Sequence, residues 1–418
     1  MILAIDMGST SFKAAVFDSH LREISTGSHL LSYRFGAGGR VEVDVASVEE
    51  ALRCALVSAG VGKQEIRAIA LTSQAQTFTV VDAQGRAQRP FISWQDRRAG
   101  AACEELKRML PEFGEHSSFG SVDPALQICQ FRTLKLGARL RPLALPSYVL
   151  MLLSGETAID NNLAAMSGLY SLPMQGWWPA ALGGCGVRES QLAKVIPVGS
   201  VAAVTTGAAK RYGIPAGIPV VLAGNDQTAG GYGACLETRG GLLITLGTAQ
   251  VAYACCNRMP KPGAGTIRGP YPGGLFYRMA ADSCGGNVVN WAETLLFGDR
   301  DDAAFFREAQ RAPSGCHGVV FDAALDLEQG GWTQLGVHHT RADLARSVLE
   351  TLSRRMTDLV NQLGGKRAGR KILVAGGGSA QPLWRNIVAE SLGADLVRTQ
   401  ADPLLGAARM AQRAEGSC

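Results

Sequence analysis

The chain has 418 residues, 46% hydrophobic and 18% charged, with 51 glycines; this is globular composition, and the length exceeds the roughly 250–300 residues that one core sustains, so two domains are expected. The 41 Lys and Arg against 36 Asp and Glu leave a net charge of +5, dispersed apart from a short cluster of Lys366, Arg367, Arg370 and Lys371, which excludes nucleic acid as the expected partner. There is no run of 18 apolar residues and no basic segment leading into an apolar one, so no membrane partner and a cytoplasmic location are expected.

Residues 1–18, MILAIDMGSTSFKAAVFD, read as two apolar strands around a Gly8-Ser9-Thr10 turn flanked by Asp6 and Lys13. A second extended run is predicted over residues 30–35 and a helix over 45–59, with Val48, Leu52, Ala55 and Leu56 on one face. A buried strand at 66–71 ends in the polar patch Thr72-Ser73-Gln74-Ala75-Gln76, and ligand sites in α/β sheets favour strand ends. After a strand at 78–82 comes Ser93-Trp94-Gln95-Asp96-Arg97-Arg98, which reads as a binding loop, as a start with Asp96 capping a helix over 97–110, or as both. The stretch 111–215 is the least regular. An apolar strand at 218–223 then opens onto Asn225-Asp226-Gln227 and a small-residue helix that allows something to approach closely. Residues 242–254 repeat the opening pattern around Gly247-Thr248, a faint internal duplication that places the start of a second domain here, with division at 1–236 and 237–418. Helices near 286–297 and 341–363 lead to a strand at 372–375 that ends in Gly376-Gly377-Gly378-Ser379. His338 and His339, before the second of these helices, read as a polar cap rather than a metal site. The ten cysteines include no CxxC pair and read as buried, reduced thiols.

Three glycine turns, at Gly8, Gly247 and Gly376, each end an apolar strand, and backbone amides with Ser9, Thr10 and Thr248 hydroxyls in such turns can cradle phosphate oxygens. Phosphoryl transfer also needs a cation on the phosphates and a group that orients or deprotonates the nucleophile. Asp6, against the first turn, suits Mg2+ held through water, since magnesium keeps much of its hydration and takes one or two carboxylates; Asp226 is left as the base.

The motifs IDMGSTSFKAAVFD, SWQDRRA, AGNDQTAGGYGA, ITLGTAQ and VAGGGSAQPLWRNIVAESLG resemble the FGGY family of carbohydrate kinases over nearly the whole chain. The resemblance implies an α/β protein of two ribonuclease-H-like domains, an actin-like ATPase fold, with ATP and sugar in the cleft between them. By that resemblance Asp226 is the catalytic base and Gln227 contacts the polyol. Gln74, Gln76, Trp94, Asp96 and Arg97 are expected at the sugar. Gly8, Ser9, Thr10, Lys13, Gly247 and Thr248 are expected at the phosphates, Gly376, Gly377 and Gly378 at the adenosine, Gln381 near the adenine, and Asp6 at Mg2+. The implied activity is ATP-dependent phosphorylation of a ketose such as xylulose or ribulose, with a glycerol or other polyol kinase as the alternative. From another class comes a non-catalytic actin-like ATPase or sugar sensor, which has no need of the Trp94–Arg98 loop or the Asp226-Gln227 pair. Ala75-Gln76 stands where ketopentose kinases usually show Met-His and glycerol kinases Arg-Glu. The partner is a small sugar or polyol, and a homodimer is an assembly open to it.

Overall fold

The computed structural model describes residues 1–238, 241–298, 302–323, 330–364 and 371–416; Lys366, Arg367 and Arg370 of the basic cluster lie outside them. The chain forms two compact units, Met1–Gly233 with Cys256–Tyr277 and Asp402–Cys418, and Ala234–Cys255 with Arg278–Ala401. Where the sequence suggests one division after residue 236, the units thus interleave.

In the first unit, Ile2–Met7 and Ser11–Phe17 form the expected hairpin, with Asp6 opposite Lys13. Ile2–Met7 also pairs in parallel with Ala68–Ser73, which pairs in parallel with Pro219–Asn225. All three strands are buried along nearly their whole length, as a sheet covered on both faces requires. Their C-terminal ends lie side by side, which is what places the site. The helix Val45–Ser58 buries Val48, Ala51, Leu52, Ala55 and Leu56, as its 3.6-residue period predicts.

One strand differs from expectation. The extended run lies at Glu23–Leu30, not 30–35; it pairs with Ser11–Phe17 at the sheet edge, where a largely exposed strand needs no apolar run to be held. A short separate strand follows at Arg34–Gly36 and pairs with Arg40–Val43.

The small residues after Asp226 make room for the C-terminal helix Pro403–Glu415. That helix starts at Asp402, whose carboxylate accepts the Leu404 N–H at 2.9 Å, and it packs on the Asp226–Gly233 helix and on the three parallel strands. The crossing is so close that a Cβ at Gly406 would lie 1.7 Å from the Ala229 carbonyl oxygen, and one at Gly233 2.7 Å from that of Asp402. Backbone cannot yield there as a side-chain tip could. Gly406→Val is therefore expected to cost at least about 3 kcal/mol, the upper end of ordinary overpacking, and a urea unfolding midpoint equal to that of the parent protein would contradict this account of the contact.

The second unit repeats the arrangement. The hairpin of Leu242–Leu246 and Gln250–Cys256 pairs in parallel with Lys371–Ala375, which pairs with Asp395–Arg398. The long helix Arg341–Gln362 buries Val348, Leu352, Met356 and Val360 against this core. It is capped by Thr340 and Asp343, whose carboxylate accepts the Thr340 N–H at 2.9 Å. The histidine pair is not the cap: His339 Nδ1 accepts the Gly336 N–H at 2.7 Å within the preceding loop, because the Thr-x-x-Asp box already satisfies the helix start. Among the cysteines, Cys103, Cys129, Cys185, Cys284 and Cys316 are buried, while Cys54, Cys235, Cys255 and Cys256 are half-buried. No helix among the described residues is long and apolar enough to cross a membrane.

Candidate active site

Three adjacent parallel strands of the first unit end in Gly8-Ser9, Gln74 and Asp226. The register that pairs Asp6 with Thr72 and Asn225 with Ser73 brings residues far apart in sequence to one edge of the sheet. Asp226 opens the helix Asp226–Gly233 and accepts the Gln227 N–H at 2.7 Å. Asn225 Oδ1 takes the Thr228 N–H at 3.1 Å, so Asn225 rather than Asp226 secures the next amide of the first turn. The Asn225 N–H is held in turn by Asn162 Oδ1 at 3.0 Å, and the Thr72 hydroxyl donates to the Gly224 carbonyl at 2.9 Å. Asp226 stands on a braced strand end with one carboxylate oxygen uncommitted to these bonds.

Burial pushes the Asp226 carboxyl up to about 6. Asp6 is 8% exposed, and burial, then the charge of Asp226, then that of Asp402, raise it to about 8 against the opposing pull of Lys13. Asp226 loses its proton first, while Asp6 is neutral, so the repulsion falls on Asp6, which must ionise beside an existing anion. Asp6 Oδ1 is buried without a hydrogen-bond partner. An orphaned carboxylate oxygen with two further carboxylates in electrostatic range fits a hard cation. No group of three or more His, Cys, Asp or Glu residues that could hold a metal occurs among the described residues. Sequence reading missed Asp402: the Asp-Pro step marks a helix start, but nothing local in it announces proximity to Asp6.

The residues expected at the sugar divide into two kinds. Trp94 is 38% exposed, and its indole Nε1–H donates to Ser9 Oγ at 2.9 Å; the Ser9 hydroxyl donates to Gln74 Oε1 at 3.0 Å. Gln227 is half-buried beside Asp226. These present groups toward the strand ends. Asp96, by contrast, is fully buried, with its carboxylate taken by the Val41 N–H at 2.7 Å and by the Arg98 backbone and guanidinium at 2.6–3.0 Å. Hydrogen bonds from Arg98 and Val41 outweigh its burial and hold it below the usual carboxylate range. It does not cap a helix: the helix runs Gly100–Met109 with Ala99 at its start, because the tertiary partners have claimed both oxygens. Gln76 has left-handed backbone (φ 67°), and its amide bonds the Met166 carbonyl and the Gln127 N–H, so it ties two segments together. Arg97 is exposed and pairs with Asp123. Asp96 and Gln76 therefore shape the loops that carry Trp94 and Gln74.

In the second unit, the Gly247-Thr248 turn is braced by the start of the helix Gly286–Phe297: the Gly286 N–H donates to the Gly247 carbonyl at 2.7 Å and the Asn287 N–H to that of Thr248 at 3.2 Å. Gly376 is left-handed (φ 87°), and a Cβ there would lie 2.5 Å from the Leu246 carbonyl oxygen, so glycine is obligatory. A Cβ on Gly378 would strike the Trp384 ring at 2.4 Å, whereas one on Gly377 would meet nothing within 4 Å. Gln381 is half-buried at the start of the helix Pro382–Leu392. This separates folding from binding: Gly377→Val is expected to fold normally yet raise the nucleotide dissociation constant at least about tenfold, a change of 1.4 kcal/mol. Titration calorimetry showing parental affinity in the folded variant would remove Gly377 from the nucleotide's path.

A cavity of about 980 Å³ also lies in the first unit, lined by Tyr170, Tyr232, Tyr271, Met410 and Arg413 among others. None of Asp6, Ser9, Gln74, Trp94 or Asp226 lines it, and volume without those groups supports no phosphoryl chemistry.

The N-terminal domain profile of the FGGY family of carbohydrate kinases matches residues 1–121 and 138–233, and its C-terminal domain profile matches 242–415. The chain is similar to the L-fuculokinase of Salmonella typhi, 23% identical over 416 residues that cover 94% of this chain and 87% of that one. It is similar to the glycerol kinase of Alkalilimnicola ehrlichii, 27% identical and covering 99% and 90%. Its fold matches that of a ligand-bound xylulose kinase from Lactobacillus acidophilus with a TM-score of 0.90 at 20% identity, covering all of this chain and 90% of the other. The fold is thus the two-domain α/β fold seen in these sugar and glycerol kinase structures. Kinases of this family use ATP. With both domain profiles matched and the paired strand-end turns in place, the chain belongs to the FGGY family of carbohydrate kinases and is a phosphotransferase acting on a sugar or polyol.

Proposed function

We propose that the protein transfers the γ-phosphoryl group of ATP to a hydroxyl of a small ketose such as xylulose or ribulose. The observation that carries this reading is Asp226, a partly buried carboxylate with its proton affinity raised to about 6, fixed on a braced strand end one strand away from Gln74 and two from Ser9. A carboxylate near that value is ionised at neutral pH yet basic enough to accept the proton of the attacking hydroxyl. Gln227 and Gln74 offer amides to the other hydroxyls, and the half-exposed Trp94 ring offers a face to the carbon skeleton. Asp6 would hold Mg2+ through its water shell, and that cation, when bound, neutralises charge on the transferring phosphoryl group. The amides of the Gly8-Ser9-Thr10 turn, with Lys13 beside it, supply donors and positive charge for phosphate oxygens; Gly247-Thr248, Gly376–Gly378 and Gln381 serve the rest of the nucleotide.

The similarity to glycerol kinases supports a polyol as the second reading. The test is ATP consumption against a panel of ketoses, alditols and glycerol: the highest kcat/KM on a ketose supports the proposal, and the highest on glycerol replaces it with the polyol reading. ATP turnover that no member of the panel raises would contradict both and favour an ATPase that uses water.

A further inference from the structure

A serine in a phosphate-binding turn is ordinarily read as a phosphate donor. In this chain the Ser9 hydroxyl is otherwise engaged. A hydroxyl has one proton to give, and that of Ser9 goes to Gln74 Oε1 at 3.0 Å while its oxygen accepts the Trp94 Nε1–H at 2.9 Å. Gln74 is 4% exposed, and its backbone N–H donates to the Met7 carbonyl at 3.1 Å, which anchors the strand end that carries this acceptor. The Trp94 backbone N–H donates to Thr77 Oγ1 at 3.2 Å, and the partly exposed indole has its single polar atom held by Ser9. The chain Trp94, Ser9, Gln74 runs from the loop after Phe91–Ile92, through the turn after Ile2–Met7, to the end of Ala68–Ser73.

We infer that the Ser9 side chain is a positioning residue for the sugar rather than a ligand of the nucleotide: it sets the tilt of the Trp94 ring against Gln74, while phosphate contacts from this turn come from backbone amides and the exposed Thr10. The inference rests on the kinase reading above and assigns a residue of the phosphate turn to the specificity of the sugar side.

The test is a double-mutant cycle with Ser9→Ala and Trp94→Phe, which keeps an aromatic face, though a smaller one, and removes the N–H donor, measured on the most active sugar of the panel. Each single variant is expected to raise the sugar KM about 3- to 10-fold, the loss of one hydrogen bond, with the ATP KM within about twofold of the parent. The double variant should be no worse than the worse single one, since one link is broken in each case. Ser9→Thr, which restores the hydroxyl, should recover the parental sugar KM. A raised ATP KM with unchanged sugar KM in Ser9→Ala would overturn the inference and return Ser9 to the phosphates, as would effects that multiply in the double variant. Acrylamide quenching of tryptophan fluorescence reads the same link without turnover. Ser9→Ala should increase quenching in the parent background and not in the Trp94→Phe background, and equal quenching in parent and Ser9→Ala would overturn the inference even if no sugar in the panel proves to be a substrate.

Discussion

Asp226→Asn is expected to leave ATP binding nearly intact and to lower turnover by about two to four orders of magnitude, the usual contribution of a positioned general base. Asparagine keeps the shape and the acceptor for the Gln227 N–H at 2.7 Å, so the strand end should not rearrange. What it lacks is proton affinity. A general base works in its ionised form, and burial raises the Asp226 carboxyl to about 6. In the parent enzyme kcat/KM should therefore climb through about pH 6 and level off above pH 7. Loss of that acid limb in the variant, together with the fall in rate, would tie both to one group. A variant that keeps most of its turnover, with the chemical step shown to limit the rate, would mean that another group takes the proton.

The parts of this molecule legible in the sequence are those that local pattern determines. The opening hairpin, the helix from Val45, the strand leading to Asp226 and the duplicate turn at Gly247 each announce themselves by period and by glycine, and each lies within a residue or two of its expected place. The roles of single polar side chains were less legible because they depend on partners distant in the chain. Asp96 reads locally as a helix cap, but the Val41 amide, 55 residues away, claims it. Ser9 reads as a phosphate ligand, yet its hydrogen-bond partners lie 65 and 85 residues away. The small residues after Asp226 correctly signal a close approach, while the identity of the neighbour, the helix from Pro403, belongs to the topology. Strand ends could be read from sequence, but the strand order that sets them side by side could not.

That strand order gives Asp6 an unusual titration, and with it a test that does not depend on turnover. An unfolded aspartate ionises near 3.8, whereas Asp6 in the fold does so near 8, chiefly through burial and next through Asp226. Because the folded value is the higher one, the stabilisation that the protonated form provides is complete below about pH 4 and is lost progressively as pH rises to about 8. A difference of that size sets a ceiling of roughly 5–6 kcal/mol, and relaxation around the charge should reduce it to about 2–4 kcal/mol. Asp6→Asn carries no charge to ionise. In metal-free buffer its melting temperature should therefore lie closest to that of the parent near pH 4 and exceed it increasingly toward pH 8. Magnesium should reverse the order. A cation held at Asp6 would favour the ionised carboxylate, so at pH 8 millimolar Mg2+ should raise the parent's melting temperature by mass action and leave Asp6→Asn nearly unmoved. Parallel pH profiles for the two proteins would show that Asp6 is not the strained group, and equal magnesium shifts would place the cation elsewhere.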